Sequence, residues 1–474
     1  MLFPTFSFFL FFIVVLTLSW YLKRKPFLWR VFLLISSYFF YANWDIRLLL
    51  LLIFVSIFNF YSGLALEKII NVKKKRIILL SAIGIDVFVL SVFKYFDFFQ
   101  NSVVEVLARV GLGSNFTFLH LILPVGLSFY ILRAISYNID IFRQKYRPES
   151  SLLDFSIYIA FFPQLLSGPI MRADEFLPQV KNGGTKNIDN LYENFALILS
   201  GLFKKVVIAS YLTVNLVDNV FSVPENHSQL AVMLAIYAYA IVIYCDFSGY
   251  SDMAVGFAGL LGFKSPVNFN SPYLAKDFQD FWRRWHMTFS GWLRDYVYIP
   301  LGGNRKGKLR TYFNLMITMF VSGLWHGTGL HFIFWGIGHG LGLAVSHFKA
   351  EILKNSPLSG SKKTLENILS WFITLNSVCF LWIFFRAENT QGSLAIIKQL
   401  LNWNSVVEPI EDYSIYMIVF SFILFALGSK LKNAFILLER RLPLALQILS
   451  IAFFVIILIK LGPDIIPPFI YFKF

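Results

Sequence analysis

An all-α polytopic membrane protein is the fold class this sequence predicts, and three observations predict it. Of the 474 residues, 57% are hydrophobic and only 15% charged, with 54 phenylalanines, a balance that water cannot solvate as separate soluble domains. Apolar runs of about 20 residues, the length of a helix that crosses hydrocarbon, recur along the whole chain. Between them the basic residues cluster in short connections, "KRK" at 23–25, "KKKR" at 73–76 and "RQKYR" at 143–147. That is the pattern of cytoplasmic loops under the positive-inside rule. The formal net charge of +15 is therefore read as a topology signal and not as a nucleic-acid surface.

The runs fall at 3–22, 27–43, 46–67, 77–98, 117–136, 152–170, 191–217, 230–262, 311–349, 366–386, 413–430 and 444–470. The first, "MLFPTFSFFLFFIVVLTLSW", lacks a basic n-region and a small-residue cleavage site, so a retained helix is expected. With the three basic loops in the cytoplasm, the first helix runs inward and the next four run out and back in pairs, placing the amino terminus outside. Several runs are long enough for two spans, or for a span plus a re-entrant or interfacial piece, which gives roughly ten to thirteen membrane segments. Three stretches of one integral membrane domain are expected: N-terminal helices over 1–115, a core over 116–350 and C-terminal helices over 351–474. The polar connections around 180–190, 222–229, 350–365 and 402–412 are too short for a core of their own. Any chemistry must sit within the bilayer or at its edge. Cys245 and Cys379 both lie in apolar segments and imply neither a disulfide framework nor a zinc spacing.

Ionisable side chains at membrane depth mark candidate functional positions, and four clusters stand out. In "LFKKVVIAS", Lys204 and Lys205 read as lysines of an interfacial helix reaching to phosphates. In "YCDFSGYSDMAVGFAGLLGF", Asp246 and Asp252 are roughly 120° apart on an ideal helix. They are expected to pair with arginines of other helices, since carboxylates in lipid persist mainly when paired. In "DFQDFWRRWHMTFSGWLRDYVYIPLGGNR", the residues Trp282, Arg283, Arg284, Trp285, His286 and Arg294 crowd together. The tryptophans suit interface depth; the arginines fit either a phosphate clamp or interfacial anchoring.

The fourth cluster is "FVSGLWHGTGLHFIFWGIGHG", residues 320–340, nearly free of charge yet carrying His326, His331 and His339. Gly323/Gly327, Gly336/Gly340 and Gly338/Gly342 have the small-xxx-small spacing that admits close helix approach. His326 and His331 diverge by about 140° on an ideal helix, and no cysteine or carboxylate completes a ligand set, so no metal site is expected. A buried histidine is commonly a satisfied core group. Its alternative use is as a base that takes a proton from a hydroxyl as it attacks an activated acyl group. No G-x-S-x-G nucleophile elbow occurs, so a thioester donor suits this equipment better than a nucleophilic serine of the chain's own.

The stretch "FWRRWHMTFSGWLRDYVYIPLGG" followed by "GLWHG" resembles the membrane-bound O-acyltransferases, and within them the branch of bacterial alginate O-acetyltransferase membrane subunits. "LPVGLSFYILRAISYNIDIFR", "FFPQLLSGPIMRADEFLPQ", "GLFKKVVIA", "YCDFSGYSDMAVGFAGLLGF" and the ending "PPFIYFKF" support it in order, mainly over residues 120–350. The resemblance implies a helical fold around a central tunnel, with 116–350 as catalytic core. It implies His326 of "GLWHG" as the tunnel histidine and His286 of "WRRWH" as the second motif histidine. Trp282, Arg283, Arg284, Trp285, Trp325, Asp246 and Asp252 follow as donor-binding or structural support, and His331 and His339 as structural. One departure is Leu132 and Arg133, where relatives commonly carry Phe-Gln.

The function so implied is O-acyl transfer, most simply of acetyl, in the bacterial cytoplasmic membrane. The donor is a cytoplasmic acyl thioester, acetyl-CoA or an acyl carrier protein, with no permanently bound cofactor. The final acceptor is an exported polysaccharide, reached through an extracytoplasmic serine-hydrolase-like partner, because the short loops cannot form a groove for a polymer. D-alanyl transfer to teichoic acid, a transporter or flippase, and a scaffold for the outer subunit remain the alternatives. Missing symmetry between halves speaks against the transporter.

Overall fold

In the computed structural model, residues 1–109, 124–185, 190–355, 359–403, 412–463 and 466–472 are described. The start of the run expected at 117–136, positions 464–465 of the last run, and Lys473 and Phe474 lie outside the described residues.

Every regular element among the described residues is helical. Seven helices among the described residues are long and apolar enough to cross a membrane: Ile46–Lys68, Val72–Phe96, Leu191–Ser222, Gln229–Leu260, Gly360–Arg386, Asp412–Glu439 and Leu444–Leu461. Phe6–Leu22 and Pro26–Ala42 are apolar but shorter, near the lower limit for a hydrocarbon core of about 30 Å. The chain is an all-α, multi-pass membrane protein. The run expected at 311–349 resolves into two helices, Lys308–His326 and Leu330–Asn355, long but more polar than the seven.

The chain groups into two compact units, Met1–Asp189 with Phe257–Ser265, and Asn190–Gly256 with Pro266–Lys473. In the first, phenylalanines bind the helices, Phe12 against Phe257 at 4.6 Å and Phe40 against Phe162 at 5.5 Å between ring centroids. Arg133 is buried and donates to the carbonyl oxygens of Tyr158, Gln164 and Pro169 and to Gln164 Oε1, at 3.1–3.2 Å. It serves the stretch around the short helices Leu152–Ala160 and Phe162–Leu165, where carbonyls freed by the chain breaks need donors in a dry interior.

In the second unit, Leu191–Ser222 carries two π-helical stretches, Phe203–Ala209 and Thr213–Val217. It crosses Gln229–Leu260 glycine on glycine. A β-carbon on Gly201 would stand 2.5 Å from the Gly249 carbonyl oxygen, and one on Gly249 2.7 Å from that of Gly201. Gln229–Leu260 is largely enclosed by protein, whereas Leu444–Leu461 is almost wholly exposed, as a lipid-facing helix is.

The hairpin Lys308–His326/Leu330–Asn355 closes the same way. β-Carbons on Gly323 and Gly336 would each stand 2.4 Å from a carbonyl oxygen of the opposite helix, that of Phe332 and that of Met319, and Gly340 lies against Met316. The Gly336/Gly340 pair thus presents one face, as its spacing predicts. Gly323/Gly327 does not, because the helix stops at His326 and Gly327 is extended, with φ −172° and ψ 175°. Gly338 and Gly342 face different neighbours, Leu381 and Phe278.

Candidate active site

His326 is the last residue of its helix and is 4% exposed. The break that follows is forced locally. A β-carbon on Gly327 would stand 2.1 Å from the Phe332 ring, and one on Gly329 2.2 Å from the His331 ring. The two glycines therefore let the chain turn back tightly, and the imidazole is left at a helix end instead of on a helix flank. Rings from four other elements surround it: Trp335 at 4.8 Å, Phe385 at 5.0 Å, Tyr471 at 5.7 Å and Phe289 at 5.9 Å between centroids, with its own neighbour Trp325 at 4.8 Å.

His286 comes to the same chamber from another direction. It joins the short helices Phe278–Arg284 and Met287–Leu293 in a left-handed conformation, φ 39° and ψ 56°, uncommon for a residue with a β-carbon. The Ser290 N–H donating to its carbonyl at 2.9 Å holds the turn. Its ring is 1% exposed, edge-on to Phe247 at 4.6 Å and stacked on Phe289 at 5.1 Å. Burial holds its pKa below the ordinary histidine value, so the ring is a neutral imidazole. Phe289 and Trp325, stacked at 4.3 Å, each touch both histidines, at 5.1 and 5.9 Å for Phe289 and 6.4 and 4.8 Å for Trp325.

The other aromatic site candidates stand beside this chamber. Trp335 backs His326 on one side and His339 on the other, at 4.6 Å. Trp282 packs on His339 and Trp335, and Trp285 on Phe269, Phe281 and Trp382. His331 has a structural place, its Nδ1 at 2.7 Å from the Phe384 carbonyl oxygen.

The charged candidates depart from expectation. Asp246 and Asp252 pair with lysines, not arginines: Lys205–Asp246 at 2.5 Å and Lys204–Asp252 at 2.6 Å. Lys205 is thus an interior residue and not a snorkelling one, its side chain 3% exposed against 4% for Asp246. The reason lies in the helix crossing, where Gly249 sits midway between the carboxylates and the π-helical stretch carries both lysines past it. Arg283 is exposed, and Arg284 is taken up by Asp280 at 2.7 Å and the Asn270 carbonyl. Arg294 pairs with Asp295.

Sequence reasoning did not single out Phe247, Phe289, Trp335, Phe385 or Tyr471 as chamber walls. Phe247, Phe289 and Tyr471 lie in family-like stretches and Trp335 in the histidine cluster, but those signals gave them no place, and Phe385 carried none. Among the described residues no three His, Cys, Asp or Glu side chains converge as a metal group. A separate cavity of about 1150 Å³ runs between Leu330–Asn355 and Gly360–Arg386, mostly apolar and lined by Gly338, Gly342, Phe278 and Leu381, with Lys276 and Lys362 among its polar residues.

The profile of the MBOAT, membrane-bound O-acyltransferase, family matches residues 141–387, which span both histidine motifs. The chain is 36% identical to the peptidoglycan O-acetyltransferase of Helicobacter pylori, over 81% of this chain and 76% of that protein. It is 37% identical to a probable alginate O-acetylase of Pseudomonas aeruginosa, over 79% and 70%. A teichoic acid D-alanyltransferase of Bacillus subtilis is 30% identical, over 57% and 70%.

Proposed function

The chain belongs to the membrane-bound O-acyltransferase family, and from that premise we propose that it moves an acetyl group from a cytoplasmic thioester to the hydroxyl of an exported envelope polysaccharide. One observation carries the reading. Two histidines from separate motifs meet in one aromatic chamber, and the one at a helix end is ringed by five aromatic side chains.

In the proposed step the imidazole of His326 accepts the hydroxyl proton as the oxygen attacks the thioester carbonyl. The C–O bond forms, the C–S bond breaks, and the proton passes to the departing thiolate. A positioned base of this kind contributes roughly a hundred- to ten-thousandfold. His286, neutral and packed on the same Phe289 ring, holds the second polar position of the chamber. The apolar walls exclude water, which would otherwise hydrolyse the thioester.

Acetyl is favoured over D-alanyl by likeness: the O-acetylating relatives match at 36–37% over about four-fifths of this chain, the D-alanyltransferase at 30% over 57%. An extracytoplasmic acetyltransferase subunit completes delivery, because the described connections between helices are short and offer no surface to thread a polymer.

Proteoliposomes holding the purified chain and its extracytoplasmic partner subunit test the proposal, with labelled acetyl-CoA or an acetylated carrier protein outside and envelope polysaccharide inside. Label leaving the thioester and appearing as an O-acetyl ester supports it. Passage of an unaltered substrate, with no covalent change, would replace it with transport. Mass analysis of envelope polysaccharides after gene deletion then identifies the acceptor. Loss of D-alanyl instead of acetyl esters would reassign the acyl group.

A further inference from the structure

We propose that the buried Lys205–Asp246 pair is a clamp that seats the C-terminal segment 466–472 as a wall of the histidine chamber, which makes Lys205 and Asp246 positioning residues for the reaction proposed above. Lys205 Nζ has three hydrogens to donate and three acceptors on hand: Asp246 Oδ1 at 2.5 Å, the Pro467 carbonyl at 2.8 Å and the Pro468 carbonyl at 3.2 Å. The other carboxylate oxygen of Asp246 accepts the Ile470 backbone N–H at 2.7 Å. Lys205 therefore spends its two remaining donors, and Asp246 its second oxygen, on one segment of backbone.

That segment needs such partners. Residues 466–469 have no regular secondary structure, yet Phe469 is fully buried and Ile470 nearly so. The two prolines, one half-buried and one exposed, bring carbonyls but no N–H groups, and both carbonyls accept from Lys205. Once seated, the segment lays Phe469 on Tyr250 at 4.4 Å and Tyr471 on Phe247 at 4.7 Å, with Tyr471 5.7 Å from His326. Phe247 follows Asp246 in the chain and touches His286 at 4.6 Å. A single dipeptide thus ties the clamp, the segment and one histidine together.

The neighbouring pair shows that the inner one is not required merely to join two helices. Lys204–Asp252 spans the same crossing, its side chains 22% and 23% exposed. The glycine contact between Gly201 and Gly249 already fixes the approach. Only the inner pair reaches the segment.

Hydrogen exchange read by mass spectrometry on the full-length protein in nanodiscs, beside steady-state acetyl transfer, tests the clamp. Lys205→Met/Asp246→Leu removes both charges together, so neither is left buried alone. It is expected to raise exchange over 466–472 about tenfold or more, as a locally released segment does. It should lower kcat by roughly a hundredfold through misplacement at the chamber, with KM for the thioester unchanged. The near-isosteric Asp246→Asn, which keeps the packing but leaves the Lys205 charge without its carboxylate, should shift both readings the same way. Lys204→Met/Asp252→Leu should leave exchange of the segment at the wild-type rate. Unchanged exchange over 466–472 in both inner-pair variants would overturn the clamp, and a freed segment with unchanged kcat would overturn its part in the chamber. A wild-type protein that transfers no acetyl group would overturn the acyl-transfer reading alone, since exchange needs no substrate and still decides the clamp.

Discussion

The chamber around His326 and the box around His339 are made by one helical hairpin, share Trp335 as a common wall, and are built of the same aromatic material. His339 lies inside the helix Leu330–Asn355, is 0% exposed, and is enclosed by Phe278, Phe281, Trp282, Trp335 and Trp382. Neither of its ring nitrogens has a hydrogen-bond partner among the described residues. His326 is nearly as buried, but it ends a helix, and its walls include the C-terminal segment, whose residues 466–469 have no regular secondary structure. Burial and aromatic company are thus common to both, and what separates them is where the backbone leaves the imidazole. A ring on a helix flank inside a packed bundle is sealed by its own neighbours. A ring at a helix end is enclosed by side chains that several separate elements bring together.

The largest expected effect breaks the comparison if it fails. His326→Gln should lower acetyl transfer by about a hundred- to ten-thousandfold with expression and melting temperature preserved. His339→Phe should keep full activity. It should also leave the protein as stable as before or more so, because an unpaired buried polar group costs about 1–3 kcal/mol. Equal losses of activity in the two variants, measured in proteoliposomes, would erase the distinction.

An intermediate effect is expected where the hairpin closes. Gly336→Val puts side-chain atoms against the Met319 carbonyl, where even a β-carbon would stand 2.4 Å away. Overpacking of this kind costs about 1–3 kcal/mol, read as a lower melting temperature in detergent together with reduced activity, since both histidines depend on the hairpin. Gly338→Ala meets only the Leu381 side chain, which can rotate away, and should cost less.

The smallest effect sharpens the boundary of the chamber. Arg284 is partly exposed and bonded to Asp280 one turn earlier on the same helix, a pair worth about 1 kcal/mol or less. Arg284→Ala should leave the KM for acetyl-CoA unchanged in a titration of the donor. A large rise would return this arginine to the donor site as an anion clamp.

Much of this was legible in the sequence. The long apolar runs announce the membrane helices, because a segment that cannot be solvated by water must be solvated by lipid or by other helices. Gly336 and Gly340 announce a close crossing, and "WRRWH" and "GLWHG" mark the two histidines that the fold brings together. Other features were not legible. The carboxylates of Asp246 and Asp252 needed cations, and composition offered arginines and lysines alike. The choice of Lys204 and Lys205 follows from a glycine crossing and a π-helical stretch that no local pattern specifies. Arg283 and Arg284 look like a phosphate clamp in a linear reading, yet the short helix that carries them turns one to the surface and ties the other to Asp280.

What the sequence determined by itself is the solvent of each segment and the residue types available for chemistry, since hydrophobicity and helical period act over neighbours in the chain. What only the tertiary structure decided is which distant groups meet: His286 with His326 across Phe289, and Lys205 with the carbonyls of Pro467 and Pro468. In a dry interior each buried polar group must find a partner or lose free energy. Which partner it finds depends on how whole helices pack, and packing is a property of surfaces assembled from the entire chain.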